Sequence, residues 1–369
     1  VGLAPTPVTV IVCQVWALDV QAQQVEALLM KRAAINITIH HAPFGLLVML
    51  LASMLAGCQG QPGGVDPTPT PSLALPTPAV LQTVEYLVRE TLTLVNDGPG
   101  QPSKQNVWMA LIRDLTPYQT VQSMKVSPFD YDLVTDEYGN QYAEFDLTDM
   151  SPGTTDQIQI DYRVAVHELA YDLTNCAGTV PKEWTQAELH VESDNPQIVE
   201  LSQELARGQA TACEQVRAFY DYVGSHLVYS YNGADWGAQA ALGEMGADCT
   251  EYASLMMALS RAARIPAQYL EGLWAGSETA QDGARTEHAW LEVYLPGAGW
   301  VPMDPTLGRS SLSREDYFAH LPPDHIVVTV GRNPSTLRGS SYWTHLYWPG
   351  KSTQIRVAGF DWAVERVGD

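Results

Sequence analysis

Basic residues are scarce in this chain. Against 42 aspartates and glutamates the 369 residues include only 20 lysines and arginines, for a net charge of −22. Nucleic acid needs a basic surface to offset its phosphates, so it is excluded as a partner. The acidic balance serves solubility first; steering of basic substrates is the sharper alternative, and no localised cluster supports it. Charge of both signs together makes up 17% of residues against 46% hydrophobic, ample for packed domains, and the length favours two. The apolar run Phe44 to Leu55 is only 12 residues long, where a membrane-spanning helix needs about 20. Metal-ligand spacing is lacking too. Asp130, Asp132, Asp136 and Glu137 lie close together but do not follow the EF-hand loop, and Asp136 to Asn140 reads better as a hairpin turn. No metal and no cofactor is called for.

What the N-terminal part does contain is an export pattern. Met30-Lys31-Arg32 opens a short basic segment, the apolar run follows, and it ends in Leu55-Ala56-Gly57-Cys58. This ending resembles the lipobox of bacterial lipoproteins, which implies lipidation of Cys58. The implied location is the extracytoplasmic side of a bacterial membrane, held by a lipid anchor. Residues 1–58 are thus expected to be leader and signal, with translation starting at Met30. Residues 59–79 form a Pro/Thr-rich linker of extended, solvated backbone.

Residues 80–185 alternate apolar and polar positions in short runs: Val84 to Val95, Val107 to Ile112, Thr120 to Val126, Tyr142 to Leu147 and Ile158 to Val166. With Asp97-Gly98-Pro99, Gly139-Asn140 and Pro152-Gly153 between them, they predict an antiparallel β-sandwich. Helical spacing takes over in residues 186–369. Asn195-Pro196 opens one helix, and Thr211 with Glu214 forms a capping box for a second. Further strand-like runs at Ile326 to Val330 and Ile355 to Val367 are expected to extend the sheet of this second region. The fold class is therefore α+β. If Cys58 carries lipid, Cys176 and Cys213 remain either as a disulfide, which export permits, or as two separate buried thiols.

A third helix carries the chemistry. Asp248 is its N-cap, Glu251 stands at N3, and Leu255, Met256 and Leu259 make its buried stripe. Cys249 falls at the first helical position, where free amides and the macrodipole favour a thiolate. Asp248 and Glu251 oppose this, so activation needs a cationic partner. His288, Trp290, Glu292 and Tyr294 share one face of a strand; Pro296 to Gly299 turns the chain, and a return strand ends at Asp304. Register decides whether the three meet. Pairing Leu295 with Trp300 puts Asp304 on the wrong face, whereas a shifted register puts it opposite Trp290 and diagonal to His288. In that arrangement Asp304 orients His288, which takes the proton of Cys249 and returns it to a leaving amine.

Asp248-Cys249-Thr250-Glu251-Tyr252-Ala253-Ser254, Ser260 to Ala267, His288 to Tyr294 and Asp304-Pro305-Thr306 together resemble the transglutaminase-like core family. The resemblance covers about residues 210–307 and implies a papain-like core with helices packed on an antiparallel sheet. It maps nucleophile, base and orienting acid onto Cys249, His288 and Asp304. Ala247 departs from the glycine common two residues before the Cys. The resemblance further implies an oxyanion donor beside the Cys249 amide, with Tyr229, Tyr231 and Trp236 as candidates and Trp290 as a further substrate-side residue. The expected activity is amide hydrolysis of a protein or peptide substrate through a thioester. Protein crosslinking by transfer to an amine is the alternative within enzymes, and a peptide- or wall-binding module is the alternative outside them.

Overall fold

Period-two burial builds the first region. β1 (Ala79–Asn96) buries every second side chain from Val84 to Asn96, and its neighbour β6 (Thr155–Ala170) runs antiparallel to it over nearly its full length. The computed structural model describes residues 77–102, 105–128, 130–176, 178–233, 235–243, 246–276, 286–337, 344–347 and 355–368. Cys58, the expected signal segment and most of the expected linker lie outside them. The remaining strands of the first region are β2 (Asn106–Leu111), β3 (Gln119–Ser127), β4 (Asp132–Thr135) and β5 (Gln141–Asp146). Val88, Leu92 and Leu94 of β1 and Ile158, Ile160 and Val164 of β6 pack against Val107 and Met109 of β2 and Phe145 of β5. Two antiparallel sheets thus share one apolar interior, as alternation demands. Between β4 and β5 the Asp136 carboxylate accepts from the amides of Tyr138 and Asn140 at 2.9 and 2.8 Å, with Gly139 in the left-handed region at φ +78°. That is the hairpin turn read from the sequence.

The second region begins with α1 (Pro196–Leu205), α2 (Ala212–His226), α3 (Gly237–Ala241) and α4 (Cys249–Ala262). Asn195 caps α1 and the Thr211–Glu214 box caps α2. Strands β7 (Ala267–Trp274), β8 (Glu287–Leu295), β9 (Gly299–Met303) and β11 (His325–Val330) form an antiparallel sheet in the order β11-β7-β8-β9. Leu255, Met256 and Leu259 of α4 pack with Tyr269, Leu291 and Val293 on one face of it. The other face is not open. Leu270, Trp290, Val327 and Val330 meet Tyr118, Leu169 and Leu321 there. Both faces being covered explains why β8 is buried almost throughout, His288 and Glu292 included. Cys176 and Cys213 are joined as a disulfide, which ties the segment after β6 to the first turn of α2. Among the described residues no helix is long and apolar enough to cross a membrane.

The C-terminal strands correct one expectation. β11 does extend the sheet of the second region, but β13 (Ile355–Arg366) pairs along β1 from Tyr86 to Asn96. β12 (Thr344–Tyr347) likewise pairs with β2, and the short β10 (His320–Leu321) adds to the end of β6. The chain leaves the sandwich, builds the helices and the second sheet, and returns to complete the sandwich. Strand runs at the sequence end carry no signal for which sheet they join, because either edge offers the same backbone donors and acceptors.

Candidate active site

Cys249 opens α4, behind a capping box whose two carboxylates do more than cap. Asp248 accepts from the Thr250 amide at 3.1 Å, its hydroxyl at 2.9 Å and the Asn232 amide at 3.3 Å. Glu251 is wholly buried and accepts from the amides of Asp248 and Trp236 at 3.0 and 2.8 Å and from the Asn232 side chain at 3.0 Å. Both acids therefore fasten the loop between α2 and α3 onto the helix start. Burial pushes the Glu251 carboxyl up, against the pull of those amides. Cys249 itself is half-buried. Burial, followed by the Asp248 carboxylate, pushes its thiol up, while a hydrogen bond from the Ala289 amide offsets part of the rise. That amide belongs to the residue after His288, so the sulfur lies against the strand that carries the imidazole.

The register of β8 and β9 is the one that brings His288 and Asp304 together. Tyr294 pairs with Trp300 and Leu291 with Met303, which sets Asp304 opposite Trp290. His288 Nε2 lies 2.6 Å from Asp304 Oδ2. A carboxylate only accepts, so Nε2 donates and Nδ1 stays outside that bond. Asp304 Oδ1 accepts from the amides of Thr306 and Leu307 at 2.8 and 3.0 Å. Burial works to raise the Asp304 carboxyl, but His288 and His325 outweigh it and hold it below the usual carboxylate range.

His325 is the residue that sequence reasoning missed. It opens β11, is fully buried, and places Nε2 3.3 Å from Asp304 Oδ2 and Nδ1 2.7 Å from Asp324 Oδ1. β7 admits β11 so closely because Gly272, paired with His288, has no side chain; a Cβ there would lie 1.9 Å from the Ile326 carbonyl oxygen. The ligating atoms of His288, Asp304 and His325 all fall within 4.8 Å of one another. Two imidazoles and a carboxylate suit a metal by type. Here, however, both Nε2 atoms address the same oxygen at hydrogen-bond distance, and a cation among them would have to break those bonds. The cluster is built as a hydrogen-bonded chain.

The expected oxyanion and substrate residues separate into two groups. Tyr229, Tyr231 and Trp236 are exposed, at 42, 52 and 47%, on the loop held by Asp248 and Glu251. Tyr229 bridges to Ala247, and burial, then Cys249, raises its hydroxyl to about 12. The Arg309 guanidinium sits 4.9 Å over its ring. Trp290 is a correction. It is fully buried, stacked 5.8 Å from His288 and edge-on 4.9 Å from His325, so it is a wall behind the imidazoles and does not face substrate. The alternation that set it on the face of His288 was right; that face is covered, which alternation alone does not reveal.

Residues 199–305 match the Transglutaminase-like superfamily. The chain carries a transglutaminase-like domain. The match runs from within α1 to just past β9 and includes Cys249, His288 and Asp304. A stretch of 126 residues is 29% identical to the uncharacterized protein YebA of Bacillus subtilis (strain 168), covering 29% of this chain and 17% of YebA; the chain thus spans well under two thirds of that relative. Among solved structures, that of a candidate cysteine protease from Cytophaga hutchinsonii superposes with a TM-score of 0.58 at 15% identity, over 78% of this chain and 92% of the other. At that identity the likeness concerns the fold alone: a transglutaminase-like fold, with helices packed on an antiparallel sheet. The periplasmic domain of TgpA from Pseudomonas aeruginosa matches at 17% identity over 63% of this chain and 90% of the other, with a TM-score of 0.31 that carries no argument.

Proposed function

We propose that the transglutaminase-like domain is a cysteine-dependent amide hydrolase acting on proteins or peptides. One observation carries this reading: Asp304 holds His288 at 2.6 Å through Nε2, on the strand whose next amide, that of Ala289, lowers the Cys249 thiol. His288 Nδ1 takes the thiol proton as the sulfur attacks the substrate carbonyl. The C–N bond breaks with return of that proton to the leaving amine, and the acyl group stays on sulfur as a thioester. Water, deprotonated by the same Nδ1, then attacks the thioester; the C–S bond breaks, the proton returns to the sulfur and the acid is released. Because burial and Asp248 raise the thiol, the proton transfer to His288 is an obligatory part of attack rather than a convenience. The Cys249 amide, at the start of α4, and the Tyr229 hydroxyl are the candidate oxyanion donors. Water as acceptor is favoured by the exposed rim of Tyr229, Tyr231 and Trp236.

Export fits the same reading. The Leu55 to Cys58 pattern supports lipidation at Cys58, and the Cys176–Cys213 disulfide suits an oxidising compartment. The test is the pH dependence of Cys249 alkylation in the purified chain beside His288→Ala, followed by hydrolysis of a peptide library with and without a labelled primary amine. Slowing of alkylation by about 10-fold or more in the variant is expected, since an adjacent base contributes about that or more. Equal rates in both proteins overturn the enzyme reading in favour of a binding module, and incorporation of the amine overturns hydrolysis in favour of crosslinking.

A further inference from the structure

The catalytic description uses one side of Asp304 and leaves a fully buried imidazole on the other. Both ring nitrogens of His325 face carboxylate oxygens: Nε2 faces Asp304 at 3.3 Å and Nδ1 faces Asp324 at 2.7 Å. Carboxylates have no proton to give, so each nitrogen must donate, and a ring that donates twice is an imidazolium. The geometry therefore demands a charge on His325 whenever both acids are ionised. The far end of the chain is also closed, since Trp274 Nε1 donates to Asp324 Oδ2 at 3.1 Å. The other groups around the ring are Trp290 at 4.9 Å, His288 at 5.8 Å and Tyr317 at 6.0 Å between centroids. None of them is an additional anion.

We propose that His325 is the resident counter-ion of Asp304, a positioning residue that fixes and neutralises the acid so that His288 is free to gain and lose its proton. The proposal rests on the catalytic reading above. A buried carboxylate whose sole cation came and went with each turnover would be left uncompensated whenever His288 was neutral, which is costly in a buried interior. With His325 permanently charged, Asp304 stays paired through the cycle. The energetic direction agrees: burial lowers His325, yet Asp324 and Asp304 outweigh it and raise the group to about 9.

The effect on chemistry has a definite sign. A fixed cation beside the site makes every deprotonation there easier, the thiol's included. Removing it while keeping a hydrogen-bond donor should move the acid limb of Cys249 alkylation to higher pH, by about one unit for a charge some 6 Å from the base. The experiment takes the full chain, its His325→Gln variant and His325→Asn as a second neutral donor. Histidine-selective ¹⁵N spectra identify the His325 ring by its loss from the variants among the nine histidines. Two protonated ring nitrogens through pH 8 in the parent, together with the upward shift in either variant, are expected. A ring with one bare nitrogen at pH 7 overturns the proposal, and so does an unshifted alkylation profile in a folded variant. The two hypotheses separate cleanly. If His288→Ala leaves alkylation unchanged, the enzyme reading fails, while the ring spectra need no activity and still decide the charge on His325.

Discussion

Two carboxylates are equally hidden in this protein and behave in opposite ways. Glu90 in the sandwich and Asp304 at the second sheet are both fully buried. Burial raises Glu90 well above the usual range, with only the Tyr162 hydroxyl to oppose it, at 3.4 Å. Its other oxygen has no hydrogen-bond partner among the described residues. Asp304 has two backbone amides on one oxygen and two imidazoles on the other, and it is held low. Glu251 sharpens the contrast. It has several hydrogen-bond donors, all of them neutral, and an anionic neighbour in Asp248, and it too is raised. Donors make a buried acid tolerable; a cation is what keeps it ionised. The site thus spends its two histidines on one acid, which marks where charge is required.

The comparison breaks most dramatically at Asp304. Asp304→Ala should lower kcat/KM by about 10³–10⁴, since the base loses its orienting partner. It should also cost about 3–5 kcal/mol of stability, because the cationic His325 is left facing a gap. Steady-state hydrolysis and thermal unfolding measure the two effects, and an unfolding midpoint equal to the parent's would refute the second. Glu251→Gln is the intermediate case. Its amide nitrogen must point at N–H donors, either from Trp236 or from Asp248 and Asn232, at a cost of about 1–3 kcal/mol. The released loop should lower kcat/KM about 10-fold through misplacement of Tyr229; tighter binding or faster turnover would show that the loop obstructs the site.

Glu90→Gln gives the smallest effect and the clearest sign. A raised carboxyl in the fold contributes stability that is complete below the unfolded value of about 4.3 and is lost as pH climbs through the folded value. The parent should therefore weaken from acid toward neutral pH relative to the variant. Glu90→Gln should match it near pH 4 and exceed it at pH 8 by about 1 kcal/mol, readable by urea titration at both pH values. Asp304, held low, has the reverse dependence: its contribution is present above about 3.9 and is lost as pH falls below that.

Much of this was legible because it is local. Asp248-Cys249 and Glu251 announce a helix start within four residues, and the alternation from His288 to Tyr294 with the turn at Pro296 confines the register to two choices, of which only one joins His288 to Asp304. The sandwich strands were legible through their period. His325 was not, because it reaches Asp304 across β7, by a close strand approach that depends on Gly272. A sequence shows His325 only as the first residue of an apolar run. The return of β13 to β1 was hidden for the same reason: its partner lies more than 250 residues earlier, and nothing in Ile355 to Arg366 names it. Trp290 was placed on the right face and given the wrong exposure, since covering a face is a property of what packs on it.

The return of the C-terminal strand also sets a timetable. β1 gains β6 on one side once the chain has grown to Ala170, but its other side waits for residues 355–366, made some 185 residues later. During synthesis and any passage across a membrane, β1 therefore carries an open edge beside a growing transglutaminase-like domain, the kind of edge that recruits other chains. Loss of residues 355–366 would leave Cys249, His288 and Asp304 untouched in sequence and still yield a molecule with a sticky flank.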